Sequence, residues 1–186
     1  MRGLTLIELI AFIVIVGAGV AGVLSVYQNI AATNADPMVR KQQLAIAESL
    51  LLEIEQQAFT YCDQSDANFE TAVSGVGCAT AAHNQDTLGA AGPANGKARD
   101  QYDNVGNYHG LKLNNKVTDL GGNAAVEGYS AEVTITQVGD NAAFSGLAGI
   151  TKNDVLRIEV SVTGPAAISQ PVRLVGYRAR YAPHSP

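Results

Sequence analysis

The sequence predicts an α+β protein, a long N-terminal hydrophobic α-helix packed on an antiparallel β-sheet head. Three observations predict it. Leu4–Leu24 is apolar except for Thr5 and Glu8. Residues 38–58 carry an apolar stripe at helical spacing. Three later stretches alternate apolar and polar residues, as strands with one solvated face do.

The first element spans 21 residues. At 1.5 Å per residue that is about 32 Å of helix, enough for a bilayer core. Leu9 to Ala35 holds no Asp, Glu, Lys or Arg, and the charged fraction of the 186-residue chain is 16%. Soluble domains average about 25%. This composition excludes a simple soluble cytosolic protein, and the plentiful Val, Ile and Leu exclude disorder. Arg2 precedes the apolar run, so the N-terminus belongs in the cytoplasm and the rest outside. A net charge of −5 with no Lys/Arg run argues against a nucleic-acid partner.

Three readings of this segment compete. One is a cleaved secretory signal ending near Thr33-Asn34-Ala35, although the run is long for that and holds a carboxylate. Another is a plain anchor. The third starts from Glu8. A charge at the bilayer centre costs about 2.5–3.5 kcal/mol on insertion scales, so an intramembrane Glu implies a function and a cationic partner. Gly17, Gly19 and Gly22 also lie in the span, and the small pairs Gly17/Ala21 and Ala18/Gly22 permit close helix contact.

Arg2-Gly3-Leu4-Thr5-Leu6-Ile7-Glu8-Leu9-Ile10 resembles the class III signal of type IV pilins and type II secretion pseudopilins. That signal is Gly, usually Phe, then Thr-Leu-Ile-Glu, leading into an apolar helix; here Leu4 stands where Phe is usual. The resemblance implies cleavage after Gly3 by a prepilin peptidase and N-methylation of Leu4. It implies a leader at 1–3, a membrane and filament-core helix at 4–30, an amphipathic continuation at 31–60 and a periplasmic head at 61–186. It also implies a bacterial inner-membrane subunit with a cytoplasmic N-terminus, later built with other subunits into a periplasmic or surface filament. Physical chemistry fits that role. Cleavage frees an amine at Leu4, and Glu8 of one subunit can pair with the amine of a neighbour. In a low-dielectric core the pair offsets the desolvation of both charges and fixes register. The alternative is an anchor carboxylate reaching back to the headgroups.

Asp36-Pro37 reads as a break or restart, since Asp caps helices and Pro suits the first helical position. Beyond it, Leu44, Ala47, Leu51, Ile54 and Ala58 form the stripe. Arg40, Lys41, Glu48, Glu53 and Glu55 lie off it. Two further stretches, Ala35-Asp36-Pro37 with Ala47–Ile54, and Tyr102–Gly110, are similar to minor pilins of the mannose-sensitive haemagglutinin (MSHA) class. Asn104, Gly106 and Asn107 depart from the acidic form of that second element.

In the head, Ser65–Gly110 is loop-rich. Tyr129–Thr136 and Leu156–Thr163 alternate as strands, and a short edge strand is expected near Lys112–Thr118. In the last strand Val175, Tyr177, Ala179 and Tyr181 alternate with Gly176, Arg178 and Arg180, and the arginines are expected on the solvated face. The 38–60 stripe covers the apolar face of the sheet. Cys62 and Cys78 enclose 15 residues. Outside the cytosol such a pair is expected to be oxidised, the alternative being two buried thiols.

No HExxH, GxSxG or Cys/His cluster occurs, so no enzymatic constellation is expected. Gly92–Ala98 lacks both the P-loop spacing and its Ser/Thr, and reads as a loop. Asp100, Asp103, Asn104 and Asn107 concentrate oxygen donors of the kind calcium takes, but Asx-rich turns form without metal, and no cofactor is expected. His109 has no partner in sequence and reads as structural. The residues point to a structural filament subunit, a minor pilin or pseudopilin. A single-pass periplasmic ligand-binding protein is the alternative, and leader processing separates the two.

Overall fold

The computed structural model describes residues 6–89, 92, 96–123, 125–144, 146, 149–165 and 170–181; for 28–36 it describes the backbone alone. The chain divides into two compact units, Met1–Val39 and Arg40–Pro186.

Helix α1 runs from Leu6 to Gln56 without a break, with Pro37 inside it. The expected restart at Asp36-Pro37 is therefore corrected. Proline removes one i→i−4 hydrogen bond and disfavours the helix locally. The helical stretches on both sides are long, so one missing bond need not end the element. In the first unit, Leu6–Tyr27 is long and apolar enough to cross a membrane. Its large side chains, Ile7, Phe12, Ile15 and Val23 among them, are exposed.

The second unit is an α+β head. Its strands are β1 (Lys112–Leu113), β2 (Lys116–Val117), β3 (Val126–Glu127), β4 (Ser130–Gln137), β5 (Val155–Thr163) and β6 (Val172–Ala179). The main sheet has the order β1-β4-β5-β6, and β2 pairs with β3 in a separate ribbon. Every pairing is antiparallel. Residues facing one another across the central pair include Val133 with Val160 and Ile135 with Ile158. The period-2 pattern predicted for β4 and β5 is realised: Ala131, Val133, Ile135, Leu156, Ile158, Val160 and Val162 are buried, and Glu132, Thr134 and Thr136 are exposed.

The second half of α1 covers that apolar face, with its stripe rotated from the expected one. Ala47, Leu50 and Ile54 are buried, joined by Gln43, while Leu44 is exposed. Positions 43, 47, 50 and 54 repeat at spacings of four, three and four, as one helix face requires. A polar residue belongs to this face because the Gln43 amide donates to the carbonyls of Val162 and Gln170. Glu53 was expected off the stripe but is largely buried in an ion pair with Arg99.

β6 shows the opposite face from the one expected. Gly176 turns toward α1, where a Cβ would run into Glu55 Oε1 and Leu51 Cδ1. The missing side chain leaves room there for the ends of the Glu55 and Leu51 side chains. By alternation Arg178 also turns inward, where its Nη2 donates to the carbonyl of Gln57, and Arg180 beyond it is 1% exposed. Val175 and Tyr177 face solvent.

Candidate functional site

The residues singled out for processing and assembly lie at the start of the chain. Gly3 and Leu4 lie outside the described residues. Glu8 stands in the first turn of α1, where a carboxylate is favoured by the positive end of the helix dipole. It is exposed among exposed apolar neighbours. About three turns on, Ala18, Gly19 and Gly22 form a shallow apolar hollow with Val23, Val26 and Tyr27. A Cβ added at Gly17, Gly19 or Gly22 would meet nothing within 4 Å. Among the described residues no packing requires these glycines, and the open surface suits lipid or another helix.

In the head, Cys62 and Cys78 form a disulfide with Cα atoms 5.6 Å apart. The loop it closes is organised around one carboxylate that the sequence reading passed over. Asp66 accepts hydrogen bonds from the backbone N–H groups of Asn68, Ala79 and Thr80 at 2.9–3.0 Å, and His83 Nδ1 lies 3.0 Å from its Oδ2. Burial alone would raise this carboxyl. The three N–H donors and the His83 ring outweigh it and hold Asp66 at about 2. The local signal was Asp66-Ala67-Asn68, where an Asp side chain bonds its own backbone two residues on.

Arg180 occupies a cage built from three segments distant in sequence. Its guanidinium carbon sits 4.2 Å from the Phe59 ring centre and 4.4 Å from that of Tyr61. Nη2 reaches Asp86 at 2.7 Å and Nη1 reaches Asp154 at 3.5 Å. Elsewhere in the head, Arg99 pairs with Glu53 and donates to the carbonyl of Thr118 at 2.8 Å. The Tyr108 hydroxyl donates to Glu53 Oε1 at 2.8 Å. Burial first, then the Glu53 charge, pushes the Tyr108 phenol up. An open groove between α1 and the β2–β3 ribbon has this pair in its wall, beside Ile46, Val117 and Leu120. Both charges there are already satisfied by the protein.

Residues 102–110, read as an Asx-rich loop, form the polar centre of the head. Tyr102, Asn104, Val105, Asn107 and Tyr108 are all buried. Asn104 donates to Thr60 Oγ1 and accepts from Gly106 N–H. Asn107 donates to Asp103 at 2.8 Å. Burial first, then the nearby Asp63 charge, raises the Asp103 carboxyl. Asp100 is exposed in the turn Arg99–Gln101. Of the four residues considered for calcium, Asn104 thus spends its amide on the protein, and Asp103 is engaged by Asn107. Among the described residues no group of three or more His, Cys, Asp or Glu side chains is placed to hold a metal ion. His109 accepts from Ile135 N–H at 3.1 Å and links this segment to β4. Lys97, from the stretch compared with a P-loop, pairs with Asp63 at 3.4 Å.

No family model, no curated protein and no solved structure matches the chain. The functional reading therefore rests on its own residues and geometry.

Proposed function

We propose that the chain is a structural filament subunit of the type IV pilin and type II secretion pseudopilin kind, in the manner of a minor pilin of the MSHA class. Prepilin peptidase cuts after Gly3, Leu4 becomes the methylated N-terminus, and the helix holds the subunit in the bacterial inner membrane with its head in the periplasm until assembly. The observation that carries the reading is a carboxylate, Glu8, in the first turn of an exposed apolar helix, directly behind a Gly-Leu-Thr-Leu-Ile leader junction. An anchor needs the apolar stretch but not the acid. A filament needs both, because Glu8 of one subunit neutralises the Leu4 amine of the next.

Mass spectrometry of the membrane-extracted protein tests the processing step. The expected result is an N-terminus at a methylated Leu4. An intact Met1 or a terminus near Asp36 overturns the reading. Assembly is tested by Glu8→Ala and Glu8→Gln. Both should insert and be processed like the parent chain, since removing a charge favours the membrane, and both should be lost from sheared filaments. Equal incorporation of both variants at equal abundance would leave the pairing step without support.

A further inference from the structure

We propose that the heads of two copies dock head to tail, with the tip of the disulfide-closed loop of one, Val73 and Val76, seated in the groove between α1 and the β2–β3 ribbon of the other. The choice of a second copy as partner rests on the filament reading. Val73 and Val76 are the most exposed large apolar side chains among the described residues of the head, at 81% and 88%. The loop beneath them is fixed. Cys62–Cys78 closes it, and Asp66 binds the N–H groups of Asn68 and Ala79. The Asn68 amide donates to the carbonyl of Gly77 at 2.9 Å, and Gly75 N–H donates to Asp86 at 3.0 Å. Gly75 is buried against Asn84 and Asp86, where a Cβ would collide with both side chains. With Gly75 held inward, the valines on either side of it are presented outward. A loop that is already fixed loses little conformational entropy on docking, so its apolar tip is preorganised.

The groove lies toward the other end of the head. Gln43 donates to the carbonyl of Val162, and the Tyr129 hydroxyl donates to Gln42. The Arg40 end of the head's helix therefore lies against the end of β5 and the start of β4. Gln137, at the end of β4, donates to the carbonyl of Asp86, and Arg180, just past β6, pairs with the Asp86 carboxylate. The base of the disulfide-closed loop thus sits at the opposite end of the sheet. The eight residues of β4 set these two levels about 24 Å apart. The groove starts at the Arg40 end and has a volume of about 420 Å³, with Ala45, Ile46, Ser49 and Leu50 on one wall and Val117 and Leu120 on the other. Ala45 and Ser49 are one turn apart on one face, and their small side chains leave that wall open to an incoming side chain. Tip and groove are too far apart to meet within one chain. Between copies they stack heads along α1 with every helix segment running the same way, a heterologous contact that continues from copy to copy. Charge agrees with this pairing. Glu70 is exposed at the tip, and Lys41 is exposed one turn before Ala45 on the groove side of α1. Neither has an ion-pair partner among the described residues, and positions 37, 38, 44 and 45, the helical neighbours of Lys41, hold no acid. The rim carboxylate Asp119 is taken by the N–H of Asn123.

Sedimentation velocity of the full chain in detergent tests the contact. A single contact this small is weak, so the concentration range runs from about 10 μM to about 500 μM. The parent chain should associate progressively and pass beyond the dimer. Val76→Asp spoils the tip and Ser49→Arg fills the groove; both sites are exposed, and both variants should keep the parent's far-UV circular dichroism. Each alone should stay monomeric. Mixed one to one, they should form a dimer that grows no further, because the intact tip of Ser49→Arg meets the intact groove of Val76→Asp and no second contact remains. Glu70→Lys should weaken association about threefold, and Lys41→Glu in the same chain should restore it. A parent that stays monomeric, variants that associate as the parent does, or a mixture that gives no dimer overturns the proposal. Association through the N-terminal helices alone gives the second of these results. Failure of the filament reading is seen separately, in the mass of the N-terminus: a chain processed to Leu4 whose heads do not associate refutes this contact alone.

Discussion

Replacing Arg180 by methionine should lower the melting temperature of the head by about 10 °C. The side chain is 1% exposed and bonded to Asp86 and Asp154, with Phe59 and Tyr61 rings over its guanidinium. Removing one partner of a buried ion pair costs about 3–5 kcal/mol, mostly because the remaining charge is left uncompensated. Here the lower end applies. Asp86 and Asp154 are 15% and 20% exposed, and each keeps backbone donors, Gly75 N–H and Thr151 N–H respectively. A domain of this size loses about 2–4 °C per kcal/mol, so about 3 kcal/mol gives the stated shift. Methionine keeps the apolar stem between the two rings, and the loss then reports the charge rather than a cavity. The assay is thermal unfolding of the full chain in detergent, followed by near-ultraviolet circular dichroism. A second variant sharpens the argument. Arg180→Met with Asp86→Asn should recover about 1 kcal/mol or more relative to Arg180→Met, since the stranded charge is gone. A shift of under about 2 °C for Arg180→Met, with no coupling to Asp86, would mean that the cage is solvated surface and the argument fails.

Three further outcomes follow from the head. Replacing Cys62 and Cys78 together by Ser should destabilise it by about 3 kcal/mol, the chain-entropy value for a loop of about 15 residues, read from denaturant midpoints with and without reductant. The Asp66 carboxyl is held at about 2 against an ordinary 3.8. Its contribution is therefore present above about pH 4 and is lost as pH falls from there toward 2; Asp66→Asn should flatten that part of the stability–pH curve, and an unchanged slope refutes the assignment. Tyr108→Phe removes one donor to Glu53 but leaves Arg99 in place, so a loss of about 1.5–3 kcal/mol is expected in the same unfolding measurement.

The parts of the fold that the sequence disclosed are those where one residue pattern has one packing solution. Strands β4 and β5 alternate strictly, so a slip of one residue would drive Glu132, Thr134 and Glu159 into the core. The apolar run at the N-terminus admits no other helix length class. β6 differs because its two faces are balanced. One alternation reads Val172, Leu174, Gly176, Arg178, Arg180, the other Arg173, Val175, Tyr177, Ala179, Tyr181. Hydrophobicity alone prefers the second set inside, and that was the expectation. The first set wins through residues far away in sequence: Phe59, Tyr61, Asp86 and Asp154 supply rings and carboxylates that make a buried arginine favourable, and the Glu55 and Leu51 side chains of α1 occupy the space beside Gly176.

The same reasoning explains why the last strand carries apolar residues outside. Once Arg180 is fixed in its cage, the two-residue period leaves Val175 and Tyr177 no choice of face. Their exposure is thus a consequence of a register set elsewhere. Polar replacements at 175 and 177 would cost the core nothing, because neither side chain is in it. In the intact cage, Val175→Lys should leave the melting temperature within about 2 °C, since exposed substitutions usually shift stability by less than about 0.5 kcal/mol. A loss of several degrees in Val175→Lys would mean that Val175 is packed into the head, and that Arg180 does not set the face of this strand.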